Sequence, residues 1–158
     1  RRAEEHNTTI YDMVRNPDMY PLTALLNAAD VALEENTENL PKLKTLLKSP
    51  DCGLRYWGIV GCFLLNTPEP ALQLLNDESH EVRAMAAWTL IRNGEKDKGL
   101  DCLKKLLENE SYATLTVLNI IDWLGDDGKS LLPIVRTIKP KNKSYEQRMQ
   151  QTLLQDLD

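Results

Sequence analysis

The chain has one Phe and two His in 158 residues, and aromatics make up 6% of it. Its apolar weight falls on Leu and Ala, which suits closely packed helices. Cys52, Cys62 and Cys102 give an odd count with no C-x-x-C pair. Cys52 and Cys62 should be separated by about 15 Å along a helix, too far for a disulfide. Free and mostly buried thiols are therefore expected, and they leave the cellular compartment open. No run approaches the ~20 apolar residues of a membrane span. No segment alternates with period two, so no strand is expected. There is neither a Gly-x-Ser-x-Gly elbow nor a phosphate-binding Gly-rich loop. Carboxylates are plentiful, but their spacing marks none of them out from an ordinary helix surface.

Charge narrows the partners. The formal net charge is −5 and the pI is near 5.1. Residues 1–39 carry three basic and eight acidic side chains, whereas 129–148 carry six basic and one acidic. Phosphate binding needs a continuous basic surface, so this balance argues against nucleic acid. The basic tail patch reads as a solvated face. A start at Arg1-Arg2 with no visible signal peptide reads as a processed chain or a segment of a longer one.

A pattern then recurs three times. A leucine-rich half-turn, a short polar break and a second helical run appear at 43–57, again at 72–87, and again at 103–124. Leu47 to Leu75 and Arg55 to Arg83 are each 28 residues, and Gly94 to Gly125 is 31. Self-similarity at this period predicts stacked helix pairs, each burying its apolar face against the next.

Helix punctuation fits this reading. Thr67-Pro68 suggests a capping hydroxyl before a first-turn proline. Ser144 with Gln147 forms a capping box, and Ser111 with Thr114 a weaker one. Pro41 and Pro133 sit where a first turn accepts proline. Gly94 and Gly125 read as helix stops. Helices are expected at 8–15 and 21–34, then in pairs at 40–48 with 53–65, 69–76 with 80–93, 98–108 with 112–124, and 130–138 with 145–156. Residues 1–7 are expected to fray and 139–143 to form a mobile joint. Small side chains at Gly58, Gly61, Ala86 and Ala87 would let helices approach closely. In the second copy, Val82, Met85, Ala86, Thr89 and Leu90 form one core-facing stripe; Leu54, Trp57, Gly58, Gly61 and Cys62 correspond in the first.

Arg55 and Arg83 share a repeat position. An anion-binding pair is one reading; repetition at one register favours structural pairing, with Asp51 and Asp77 as partners. Trp57 falls with the core stripe, whereas Trp88 and Trp123 do not. Leaving a Trp in water forgoes ~4–6 kcal/mol, so Trp88 and Trp123 should be covered by a neighbouring repeat or by a partner. Tyr56, Trp88 and Trp123 are thus the candidate interaction residues. No catalytic, cofactor-binding or metal-binding residue is assigned.

His80-Glu81 opens a predicted helix, as the iron-binding His-Glu pairs do in deoxyhypusine hydroxylases. The repeat-equivalent positions hold Cys52-Gly53 and either Ser111-Tyr112 or Tyr112-Ala113, so that activity is not expected. His80 reads as a solvent-facing first-turn residue, and His6 lies in the frayed end. The triplets at Asn7, Asn109 and Asn142 fit a glycosylation pattern that is common by chance.

The paired helices and the run Val82-Arg83-Ala84-Met85-Ala86-Ala87-Trp88-Thr89-Leu90 resemble HEAT-like repeats. Their period is below the ~40–47 of the longer classes, and similar to that of bilin-lyase-type repeats. The opening Thr9-Ile10-Tyr11-Asp12-Met13-Val14-Arg15-Asn16-Pro17, then Tyr20-Pro21-Leu22 and Leu25-Leu26-Asn27-Ala28-Ala29-Asp30, resembles the region that follows the catalytic domain of certain bacterial arylsulfatase-like enzymes. Arg55-Tyr56-Trp57 fits the repeats that come next in those proteins. The likeness runs from about residue 8 to residue 125.

The resemblance implies a non-catalytic C-terminal module. The formylglycine signature of sulfatases is absent from this chain, and calcium would belong to the parent's catalytic domain. Partners would be that domain or another protein subunit, with no membrane or nucleic acid, in the periplasm or outside the cell. The expected fold is an all-α superhelix of short HEAT-like repeats. A lead-in at 1–39 precedes about four helix pairs at 40–66, 67–94, 95–125 and 129–158. A free-standing adaptor binding a protein or peptide is the alternative, and a repeat-fold enzyme such as a bilin lyase or DNA glycosylase is a more distant one.

Overall fold

A computed structural model describes residues 2–109, 112–139 and 145–157. Its helices are α1 (Arg2–Glu5), α2 (Ile10–Arg15), α3 (Leu22–Leu33), α4 (Leu40–Leu46), α5 (Cys52–Leu64), α6 (Ala71–Leu74), α7 (His80–Arg92), α8 (Lys96–Glu108), α9 (Thr114–Leu124), α10 (Leu132–Thr137) and α11 (Tyr145–Asp156). Thr37–Asn39 and Gly125–Leu131 form 3-10 segments, and no strand occurs among the described residues. The chain is all-α, as its periodicity predicts.

Local chemistry sets the helix starts. Thr9 Oγ1 accepts from the Asp12 N–H at 3.1 Å and begins α2. Asp51 Oδ1 accepts from Gly53 and Leu54 N–H at 2.8 and 3.2 Å and begins α5. Ser79 Oγ accepts from the Val82 N–H at 3.5 Å at the head of α7. Each satisfies N–H groups that a first turn leaves without intrahelical partners. Gly94 and Gly125 adopt φ of +92° and +55°, the left-handed region where glycine ends a helix at little steric cost.

Three expectations change. Thr67 does not cap a helix: its hydroxyl donates to the Leu65 carbonyl at 3.4 Å, and α6 begins only at Ala71. Pro68 and Pro70 remove two amide donors, so a turn closed by Ala71 N–H to Pro68 O at 2.9 Å replaces the first helical turn. The amino end is helical at Arg2–Glu5 and buries Ala3. Arg2 anchors it with a 2.7 Å bond to Asp51. The caps expected from Ser111 and Ser144, and the joint at 140–143, lie outside the described residues.

Helices α3, α5, α7, α9 and α11 form a row in which each packs on the next; α4, α6, α8 and α10 lie against α5, α7, α9 and α11 respectively or their neighbours. Two apolar clusters fill the interior. One joins Leu43, Ile59, Cys62, Val82, Met85 and Leu90; the other joins Leu103, Leu106, Val117, Leu118, Val135 and Leu153. Helix α7 serves both. Its predicted stripe of Val82, Met85, Ala86, Thr89 and Leu90 is buried, and Ala84, Ala87 and Ile91 on other faces are buried too. In α5, Leu54 and Trp57 of the corresponding stripe are only half-buried, because α5 lies nearer the end of the row.

Small residues fix the spacing. A methyl group at Gly58 would stand 2.8 Å from Leu47 Cδ2 and 3.1 Å from the Leu43 carbonyl oxygen. At Gly61 it would overlap the Leu43 side chain, and at Gly53 it would come within 2.7 Å of Leu25 Cδ2. Helix α5 is therefore held tightly against α4 through Leu43 and against α3 through Leu25.

Candidate functional site

An open groove of about 490 Å³ lies beside α3 and α5. Leu22, Leu25, Leu26 and Ala29 of α3 form one wall, with Tyr56 and Trp57 of α5 opposite. Ser79 and Glu81 at the head of α7 and Thr116 of α9 complete it. Tyr56 and Trp57 are half-buried, with ring centroids 6.0 Å apart in an edge-on arrangement. Burial, reinforced by the negative charge of Glu81, raises the Tyr56 pKa above its usual value. The phenol is therefore an uncharged hydrogen-bonding group at the groove wall.

Along and beyond this wall, α3 leaves apolar surface in water. Leu22, Leu26 and Leu33 are 41%, 57% and 58% exposed, while Leu25, Ala28 and Ala32 on the inner face are buried. Leu22, Leu26, Ala29 and Leu33 follow one another at helical spacing, so α3 presents apolar stripes both inward and outward.

The groove opens onto a shelf lined by Glu5, Asp51, Glu78, His80 and Glu81 together with Arg2. Asp51 serves Arg2 through Oδ2 and caps α5 through Oδ1. Ser79 Oγ donates to Glu81 at 3.2 Å. His80 is half-buried on this shelf, not solvent-facing as its first-turn position suggests. Among the described residues, no three His, Cys, Asp or Glu side chains gather in a manner that could hold a metal ion. No described helix is long and apolar enough to cross a membrane.

The paired arginines have different partners. Arg55 uses all its N–H directions: Nε and Nη2 donate to Asp77 at 2.7 and 2.9 Å, Nη2 also to Glu78 at 3.0 Å, and Nη1 to the carbonyls of Ser49 and Pro50 at 2.9 and 3.0 Å. The bonds to Asp77 raise its pKa further, so it is a permanent cation. The expected Asp51 partner is instead taken by Arg2. Arg83 makes no ion pair among the described residues and its Nε is buried without a hydrogen-bond partner. Asp77 cannot serve it, since both carboxylate oxygens already bind Arg55.

The three candidate interaction residues divide between two places. Tyr56 lines the groove. Trp88 stacks on Trp123 with centroids 4.8 Å apart and contacts Phe63 at 4.4 Å. Arg92 lies 4.5 Å from the Phe63 ring centroid and closes this ladder. Trp88 is half-buried between the two cores, whereas Trp123 is 61% exposed. The outer stripe of α3 was legible in its spacing but is easily mistaken for core, because its inner neighbour Leu25 follows the same periodicity.

The thiols are free: Cys62 and Cys102 are buried and Cys52 is half-buried at the start of α5. Burial pushes the Cys62 thiol up to about 11 and Cys102 above its usual value, which keeps both protonated and poor nucleophiles near neutral pH. No protein-family profile, curated protein or solved structure matches this chain.

Proposed function

We propose that this chain is a non-catalytic module of short HEAT-like repeats, the C-terminal domain of a bacterial sulfatase, and that it acts by docking on protein. The row α3-α5-α7-α9-α11, each member packed on the next, supports a superhelical stack. The motifs at 9–17, 20–30 and 55–57 support the parentage. In that setting the module works in the periplasm or outside the cell, holding the parent's catalytic domain or a neighbouring subunit.

The observation that carries docking is the uncovered outer face of α3 beside the Tyr56–Trp57 wall. Contiguous apolar surface of this kind on a folded chain marks a contact site. The arrangement suits gripping: Asp51, Arg2 and Arg55 are engaged in a cap and ion pairs, and the buried thiols are neutral.

The test is assembly of the full-length parent, followed by chromatography and limited proteolysis. Tyr56→Ala should loosen it, with Trp88→Ala and Trp123→Ala probing the separate aromatic ladder. Undisturbed assembly in all three variants would remove this surface assignment. The genomic sequence preceding Arg1 tests the parentage: a formylglycine motif supports the sulfatase module. A reading frame opening near Arg1 with its own methionine would favour a free-standing adaptor.

A further inference from the structure

Within the docking reading, we infer that the groove beside α3 and α5 receives an amphipathic helix of a protein partner, its apolar stripe flanked by Lys or Arg. Leu22, Leu26 and Ala29 would form the seat, with Leu33 continuing their stripe beyond the groove, and Tyr56 and Trp57 the opposite wall. The stripe runs over the twelve residues Leu22–Leu33, whose eleven steps cover roughly 16 Å at 1.5 Å per residue. That length matches about three turns of a partner helix.

Backbone chemistry selects a helix. An extended β segment gains its main-chain affinity by pairing with a sheet edge, and a polyproline segment docks on aromatic-lined grooves, whereas the longer wall here is the aliphatic stripe of α3. The described residues contain no strand, so an extended backbone laid in an apolar groove would lose water without gaining partners. A helix satisfies its own backbone and presents only side chains.

Charge selects the flanks. From Asn16 to Pro41 the chain carries Asp18, Asp30, Glu34, Glu35 and Glu38 and no Lys or Arg. Where the groove meets the shelf, Glu78 and Glu81 add two more carboxylates, and Glu78 remains largely exposed although it bonds Arg55. A partner with Lys or Arg beside its stripe gains favourable contacts on approach. An anionic lipid surface is repelled.

The same charges disfavour a second copy. Pairing α3 on α3 would set two such carboxylate groups against each other. The basic end of another copy offers no stripe, since in α11 Leu153 is buried, Leu154 and Leu157 pack on the core, and Gln147, Arg148, Gln151 and Gln155 face outward.

The test uses synthetic helices of about 16 residues, the length that spans the seat with its flanks. One carries a leucine stripe with Lys flanks, one the same stripe with Glu flanks, and one Lys flanks with the leucines scrambled. Binding is followed by anisotropy of a label on the peptide. The Lys-flanked helix should bind, weaken as salt rises, and bind about tenfold or more weakly to Leu26→Lys, as loss of a central anchor predicts. Leu72→Lys, on α6 outside the groove, should bind as wild type does. Leu26 is exposed, and an unchanged circular dichroism spectrum verifies that the variant folds.

Equal binding of the Glu-flanked or scrambled helix would overturn the proposal, as would failure of the Lys-flanked helix to bind. Self-association abolished by Leu26→Lys would replace the partner helix with a second copy, and binding to phosphatidylserine vesicles would replace it with a membrane. If Leu26→Lys disrupts assembly of the full-length parent while no Lys-flanked helix binds, the amphipathic-helix inference fails and the docking function survives.

Discussion

Arg55 grips Asp77 through two near-parallel hydrogen bonds of 2.7 and 2.9 Å across 22 residues of sequence. The same guanidinium holds the Ser49 and Pro50 carbonyls, so one side chain ties the turn before α5 to the turn before α7. Asp77 is also committed locally, its Oδ1 accepting from the Ser79 N–H at 2.8 Å. Both partners are shielded, at 9% and 7% side-chain exposure. Removing Asp77 leaves the buried guanidinium with Glu78, itself 73% exposed, as its one counter-charge, a loss that approaches the about 3–5 kcal/mol of breaking a buried pair. Asp77→Ala should lose about that much in urea unfolding, and Asp77→Asn less, since an acceptor remains. A loss below about 1 kcal/mol for Asp77→Ala would mean that the pair behaves as an exposed one does.

Gly99 illustrates a helix contact that composition alone cannot reveal. A methyl group there would stand 2.5 Å from the Ala87 carbonyl oxygen, a backbone atom with little freedom to yield, and would crowd Ile91 as well. In an exposed helix, Gly→Ala gains about 1 kcal/mol. Forcing α8 away from α7 costs about 1–3 kcal/mol, more than this gain over most of its range. Gly99→Ala should therefore destabilise the chain despite its better helix propensity, as a lower denaturant midpoint. A raised midpoint would show that α7 and α8 can separate freely.

The helix pattern was legible because it rests on local chemistry: apolar spacing, Pro41 and Pro133 in first turns, Gly94 and Gly125 at stops; the caps at Asp51 and Ser79 emerge only in the structure. The Pro68–Pro70 turn escaped because two prolines act together to delay α6. The Gly125–Leu131 segment escaped because Gly-Asp-Asp-Gly-Lys-Ser has no apolar period. Arg55 was recognisable as a structural side chain, but its partner lies in the following turn, a choice made by packing. The same limit applies to the groove. Tyr56 could be singled out by type, whereas the outward direction of Leu22 and Leu26 depends on which face of α3 meets α5.

Cys62 makes stability depend on alkaline pH. Its thiol titrates near 9 when free and is pushed up to about 11 by burial in the folded chain. Between those values the unfolded state has released the proton and the folded state keeps it. The unfolded state thus binds fewer protons, so stability falls as pH rises through this window. Cys102 contributes in the same direction. Urea midpoints should decline from about pH 9 to 11, and Cys62→Ala should flatten part of that decline after allowance for its own packing loss. At pH 8, alkylation of the native chain should modify Cys52 first, with Cys62 and Cys102 reacting after denaturation. Rapid native labelling of Cys62 would contradict its burial.

The Trp88–Trp123 stack should be visible in solution. Two indoles with centroids 4.8 Å apart and planes inclined by 23° couple their transitions, giving a paired feature in circular dichroism that either substitution abolishes. The energetic consequences differ because the surroundings differ. Trp123 is mostly exposed, so Trp123→Phe should cost about 1 kcal/mol, the scale of one aromatic contact. Trp88 also packs on Phe63 and touches both cores, so Trp88→Ala should cost about 3–5 kcal/mol. A double-mutant cycle on the two positions isolates the stack itself, expected at about 0.5–1.5 kcal/mol. A coupling near zero with the paired dichroism intact would place the rings in contact without energetic benefit, and would return Trp123 to the set of side chains held out for a partner.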